Sequence, residues 1–128
     1  MAIENLALSV VLGSTISLGV VASKAIVFAL SIFEYDGTTP QDLTSLTLQF
    51  HATVAGIAIN KSSATSGGIV INTPATSGTA TLTLLAADTA GIEGMGFGRC
   101  ELTAVDGSGN PFEIASGTFT VTQNVGTP

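Results

Sequence analysis

Residues 6–33 carry one charge, Lys24, and whatever this chain folds into must find cover for that run. A bilayer span takes about 20 predominantly apolar residues, so length alone would admit a membrane helix. The residues inside the run argue otherwise. Gly13, Gly19 and the hydroxyls of Ser9, Ser14, Thr15, Ser17, Ser23 and Ser31 interrupt it, and no basic cluster marks a cytoplasmic side. Its last part, "AIVFALSIF", sets Ile26, Phe28, Leu30 and Ile32 on one face and Val27, Ala29, Ser31 and Phe33 on the other. Such a β-branched and aromatic run, bounded by Lys24 and "EYDG", reads as a strand buried on both faces. A secretory leader fits no better, because its first residues should be basic and Met1 to Asn5 offers only Glu4. Strands are expected here, and no membrane partner.

The same reading extends along the chain. Residues 6–12 and 15–21 make two strands joined at Gly13-Ser14, and 24–35 a longer one ended by the turn dipeptide Asp36-Gly37. In the loop "TTPQDLTS", Pro40 cannot donate to a ladder and Asp42 can bond its own backbone two residues on. Leu46, Leu48 and Phe50 alternate with Thr47, Gln49 and His51, one face in and one face out. Short strands over 57–60 and 69–72 flank "KSSATSGG", and "TATLTLL" turns Ala80, Leu82 and Leu84 inward. "AADTAGIEG" suits a single helical turn capped by Asp88. Residues 97–105 and 111–122 form the closing hairpin around "DGSGNP". No segment keeps a 3.6-residue apolar period beyond one turn, so short strands between Gly, Pro, Asn and Asp turns specify an all-β antiparallel sandwich or barrel.

The stretch "LTLLAADTAGIEGMGFGRCEL" favours the sandwich. A strand, a one-turn loop centred on Asp88 and an aromatic leading into the next strand match a passage of immunoglobulin-like domains. Phe97 stands there in the place of a corner tyrosine. With no Trp and one cysteine, an intersheet disulfide is excluded and the likeness is one of architecture. Phe28, Leu48, Phe50, Leu82, Leu102 and Phe119 are expected to share one core.

At 128 residues the length fits one domain. Charged residues make up 9% of it, against about a quarter of an average soluble domain. The 18 Thr and 12 Ser fill the gap, most of them alternating with aliphatics, so the surface is either embedded in something or coated in hydroxyls. A net charge of −6 with three basic residues argues against a nucleic-acid partner, which needs Lys and Arg for its phosphates.

Candidate chemistry is sparse, and no catalytic residue, cofactor or metal is expected. His51 is the only histidine, faces outward, and shares a ligand spacing with no Cys, Asp or second His. Cys100 falls on the face of Leu102 and reads as a small buried hydrophobe. Asp106 to Asn110 has the look of a calcium loop, but the twelfth position is Gly117 rather than Glu. "GMGFG" at 94–98 precedes no helix and so makes no phosphate cradle. Glu93, Glu101 and Glu113 sit in or beside different strands, with no paired acid and base. Asp36, Asp42 and Asp88 lie at turns, where capping accounts for them.

Four stretches follow one another in order: "YDGTTPQDLTSLTLQF", "INKSSATSGGIVI", "TLTLLAADTAGI" and "ASGTFTVTQNV". Together they resemble a group of small tailed-phage virion proteins, similar to the N-terminal domain of phage baseplate upper proteins. The resemblance covers residues 25–125. The residues ahead of it have no counterpart, and "GMGFGRCEL" stands where a tyrosine-bearing segment is usual. What the resemblance implies is a non-enzymatic component of the virion, assembled in the host cytoplasm, that packs against capsid or tail subunits or identical copies. On that basis residues 1–22 are expected as an apolar N-terminal arm or hairpin and 23–128 as the sandwich. Leu6, Leu8, Val10, Leu12, Ile16, Leu18 and Val20 of the arm are then the expected partner contacts. A compact block ending at Pro128, with an arm free to lie across a neighbour's sheet edge, points to a capsid decoration or cement protein. A tail or baseplate component is the alternative. A carbohydrate-binding adhesive sandwich is another, weakened by the lack of Trp and the single Tyr.

Overall fold

The computed structural model describes residues 4–21, 24–54, 56–64, 67–89 and 96–122. Among them the strands are β1 (Glu4–Val11), β2 (Ser14–Val21), β3 (Ile26–Phe33), β4 (Thr47–Val54), β5 (Ile57–Ser62), β6 (Ile69–Ile71), β7 (Thr79–Leu84), β8 (Gly96–Val105) and β9 (Pro111–Thr122). One helical turn, α1 (Ala86–Thr89), leads out of β7. The strands build two sheets, one in the order β1-β3-β7-β6 and the other in the order β2-β9-β8-β4-β5. These pack face to face as a β-sandwich.

Strict alternation decides which side chains meet between the sheets. In β3, Ile26, Phe28, Leu30 and Ile32 are buried, in β4 Leu48, Phe50, Ala52 and Val54, and in β7 Ala80, Leu82 and Leu84. The six core residues expected from sequence are each at most 2% exposed. Phe50 and Phe119 meet edge to face, with ring centroids 6.1 Å apart, the arrangement that ring quadrupoles favour. Leu43, from the loop after β3, plugs one end of the core, held by its N–H to the Ala75 carbonyl. A bulge between β8 and β9 shifts the pairing at Leu102/Thr103, so Ile114 and Ala115 are buried consecutively.

The structure corrects three expectations. β3 is fully buried on one face only, since on the other Ala29 is exposed and Val27, Ser31 and Phe33 are half-buried. The sheets are mixed rather than wholly antiparallel, because β1 lies parallel to β3 and β2 parallel to β9. The third concerns the N-terminal arm. Residues 4–21 are not an appendage to the sandwich but supply an end strand to each of its sheets. The geometry follows from two reversals. Gly13, at φ 81°, turns the chain between β1 and β2, and the passage into β3 turns it again, leaving β1 and β3 pointing the same way. At the first corner, successive residues bond to opposite sheets: the Leu12 N–H donates to Phe33 in one (2.9 Å) and the Gly13 N–H to Ile114 in the other (2.8 Å).

Candidate interaction surfaces

The seven residues expected to meet a partner divide sharply. Val10, Leu12, Ile16, Leu18 and Val20 are at most 9% exposed and belong to the core of this chain. Burying five such side chains contributes on the order of 10 kcal/mol of gross hydrophobic stabilisation. That is comparable to the net stability of a whole domain, about 5–15 kcal/mol, so they are not free to leave for another protein. Leu8 is half-buried against the same core, and Leu6 alone is substantially open, at 40%. Both face inward, in register with Leu30 and Phe28 of β3. Beside Leu6 a notch of about 170 Å³ opens between the two end strands, reaching Val20, Ile26 and the rim residue Lys24.

The outer face of the β2-β9-β8-β4-β5 sheet gathers most of the polar chemistry found on strands. His51 lies opposite Glu101, Glu101 opposite Ser116, Thr53 opposite Arg99 and Arg99 opposite Thr118. The bulge leaves Glu113 exposed beside them, and with His51, Thr53, Arg99, Glu101 and Ser116 it lines a shallow depression of about 200 Å³. Further along, the Thr118 hydroxyl hydrogen-bonds Ser17 of β2 at 3.1 Å. His51 faces outward as its alternation requires. Phe97 is 72% exposed on this same face, while Gly96 takes the inward place beside it. The corner-tyrosine position is thus not reproduced.

Cys100 is buried, its Sγ donating to the Thr118 carbonyl at 3.5 Å. Burial pushes its thiol up to about 11 against the opposing pull of Arg99, so at neutral pH it is not a thiolate nucleophile. The turn aspartates bond their own loops. Asp36 accepts from the Thr39 hydroxyl and from the Thr38 and Thr39 amides, which hold its carboxyl down at about 2. Asp42 accepts from the Thr44 amide. Asp106 accepts from the amides of Ser108 and Asn110, so its oxygens close a turn of the Asx kind rather than an ion cage. Asp88 departs from a simple cap. From inside α1 it reaches back to the Leu85 N–H at 2.6 Å and pairs with Lys61 at 2.9 Å. Glu93, Gly94 and Met95 lie outside the described residues. Among the described residues no three His, Cys, Asp or Glu could together hold a metal ion, and no helix is long and apolar enough to cross a membrane.

No protein-family model matches the chain, and no curated protein matches it. Among solved structures it is similar to the N-terminal domain of phage TP901-1 ORF48, with a TM-score of 0.52 and 18% sequence identity. The alignment covers 95% of this chain and 99% of that one. At this identity the likeness is one of fold, and it extends over the whole sandwich.

Proposed function

We propose that this chain is a non-enzymatic structural module of a tailed-phage virion that works by packing against other virion proteins. The observation that carries the reading is the end-to-end fold likeness to a domain of a phage protein. It coincides with four ordered sequence motifs that independently resemble phage virion proteins. Neither would be sufficient alone, since sandwiches serve many functions.

Between sites in the particle, we favour the tail and its baseplate over the capsid surface. The motifs resemble a baseplate domain. The decoration reading drew on an N-terminal arm lying outside the sandwich, and β1 and β2 are end strands of its sheets. Heads and tails of the encoding phage, separated by density and probed with an antibody to this chain, test the reading. Signal in the tails is expected. Signal confined to heads would overturn the tail assignment, and absence from purified particles would overturn the virion role itself.

A further inference from the structure

Each sheet ends, on the same flank of the sandwich, in a strand with no further neighbour among the described residues: β1 in one, β2 in the other. An end strand presents a row of main-chain donors and acceptors, and proteins ordinarily blunt it with charge, proline or brevity. Glu4 opens β1 and carries its one charge; from Asn5 to Val11 the strand has neither charge nor proline, and seven such residues are not short.

Two observations single out β1 over β2. The inward side chains of β2 are already covered by the core, so a strand added there would gain little apolar burial. β1 is incomplete by the same measure, with Leu6 open beside its notch and Leu8 half-buried. On its outer face, Ala7 and Ser9 are too small to obstruct a neighbour.

We propose that β1 pairs antiparallel with β1 of a second copy of this chain, across a twofold axis at Ala7, joining two four-stranded sheets into one of eight. Side-chain parity fixes the register, because directly opposed residues must share a face. With Ala7 opposite itself, Leu6 of each copy meets Leu8 of the other, and Asn5 meets Ser9. The charge pattern names the occupant. Copies carrying −6 repel on most approaches, and in a twofold contact a charge on the axis meets its own kind. Neutrality along Asn5–Val11 is therefore what an identical partner requires. A basic partner would gain nothing from it.

Ala7→Cys tests the register directly. Opposed residues in an antiparallel pair lie about 4.5–5.5 Å apart, within disulfide reach, and Cys100 is buried and does not compete. Under mild oxidation the full-length A7C variant is expected to form a covalent dimer, whereas Val70→Cys on exposed β6 stays monomeric. Wild type is expected to sediment as a dimer, and Ala7→Lys to weaken the association at least about tenfold with an unchanged far-ultraviolet spectrum. A monomeric wild type would overturn the proposal and leave the edge to a strand of another protein. So would cross-linking through V70C but not A7C, a result that stands even if A7K does not fold.

Discussion

On one flank the sheets end in short strands, β6 with three residues and β5 with six, whereas on the other they end in β1 and β2 with eight each. The short flank carries charge: Lys61 on β5 pairs with Asp88 of α1, and Ser62 bridges to Gly68 to tie the strand ends together. The long flank carries none from Asn5 to Val21. Its order comes from inward-facing aliphatics and from the Leu12–Gly13 corner, whose amides fasten it to both sheets. A sheet edge thus has two physical routes to a defined end. It can be brief and charged, or long, neutral and locked to the core from within. The second route is the more fragile, because every contact that holds it is one the core also needs.

The largest effect expected is from removing the long flank outright. A chain beginning at Ser23 loses Val10, Leu12, Ile16, Leu18 and Val20 from the core, and should fail to give a cooperative melt by circular dichroism. A normal melt would mean that the flank is dispensable after all. Next comes Gly117, where an added Cβ would collide with the Ile16 carbonyl oxygen. Gly117→Ala must push β2 off β9 and should cost about 3 kcal/mol or more in urea unfolding. Gly19→Ala on the same edge meets nothing within 4 Å and should stay within about 0.5 kcal/mol. Equal losses in the two variants would show that β2 does not need a glycine at 117 to lie against β9.

On the short flank, Lys61→Ala should cost about 1–2 kcal/mol, because the ion pair is largely covered, its side chains 12% and 21% exposed. A larger loss would show that this flank, too, is held by few contacts. The smallest effect concerns the loop beyond β3. The Asp36 carboxyl sits at about 2 in the fold against an ordinary value of 3.8. Its contribution to stability is therefore present above about pH 4 and lost as pH falls through about 2. The melting temperature of Asp36→Asn should fall less steeply than that of wild type between pH 4 and pH 2. Parallel curves would assign the acid sensitivity to other carboxylates.

Much of the fold was legible because alternation holds along most strands, the bulge at Ile114 and Ala115 being the exception. Phe28, Phe50 and Phe119 are inside for the reason the pattern states: period two puts them on one face of a strand. Direction is another matter. The same alternation fits a parallel or an antiparallel neighbour, so nothing in "LALSVVL" announces that β1 lies parallel to β3. The candidate partner residues erred through that gap. Apolarity at Val10 and Leu18 was visible, but a core and an interface need the same residue types. Only the pairing of β2 with β9 shows which of them is served. Leu43 escaped notice because a single leucine in a loop has no period. The demand on Gly117 arises between residues far apart in the chain, where local patterns carry no signal.

The pairing of β2 with β9 also sets an order on the making of the molecule. Ser17 and Thr118 touch across 101 positions of sequence. At a synthesis rate of about 5–20 residues per second, β2 leaves the ribosome on the order of 5–20 s before its partner strand exists. During that interval an uncharged strand of high β-propensity waits on an incomplete sheet, the condition in which nascent chains associate with one another. β2 is made well before β9 and is among the last strands to be satisfied, so the yield of folded protein should depend on how crowded its own polysomes are.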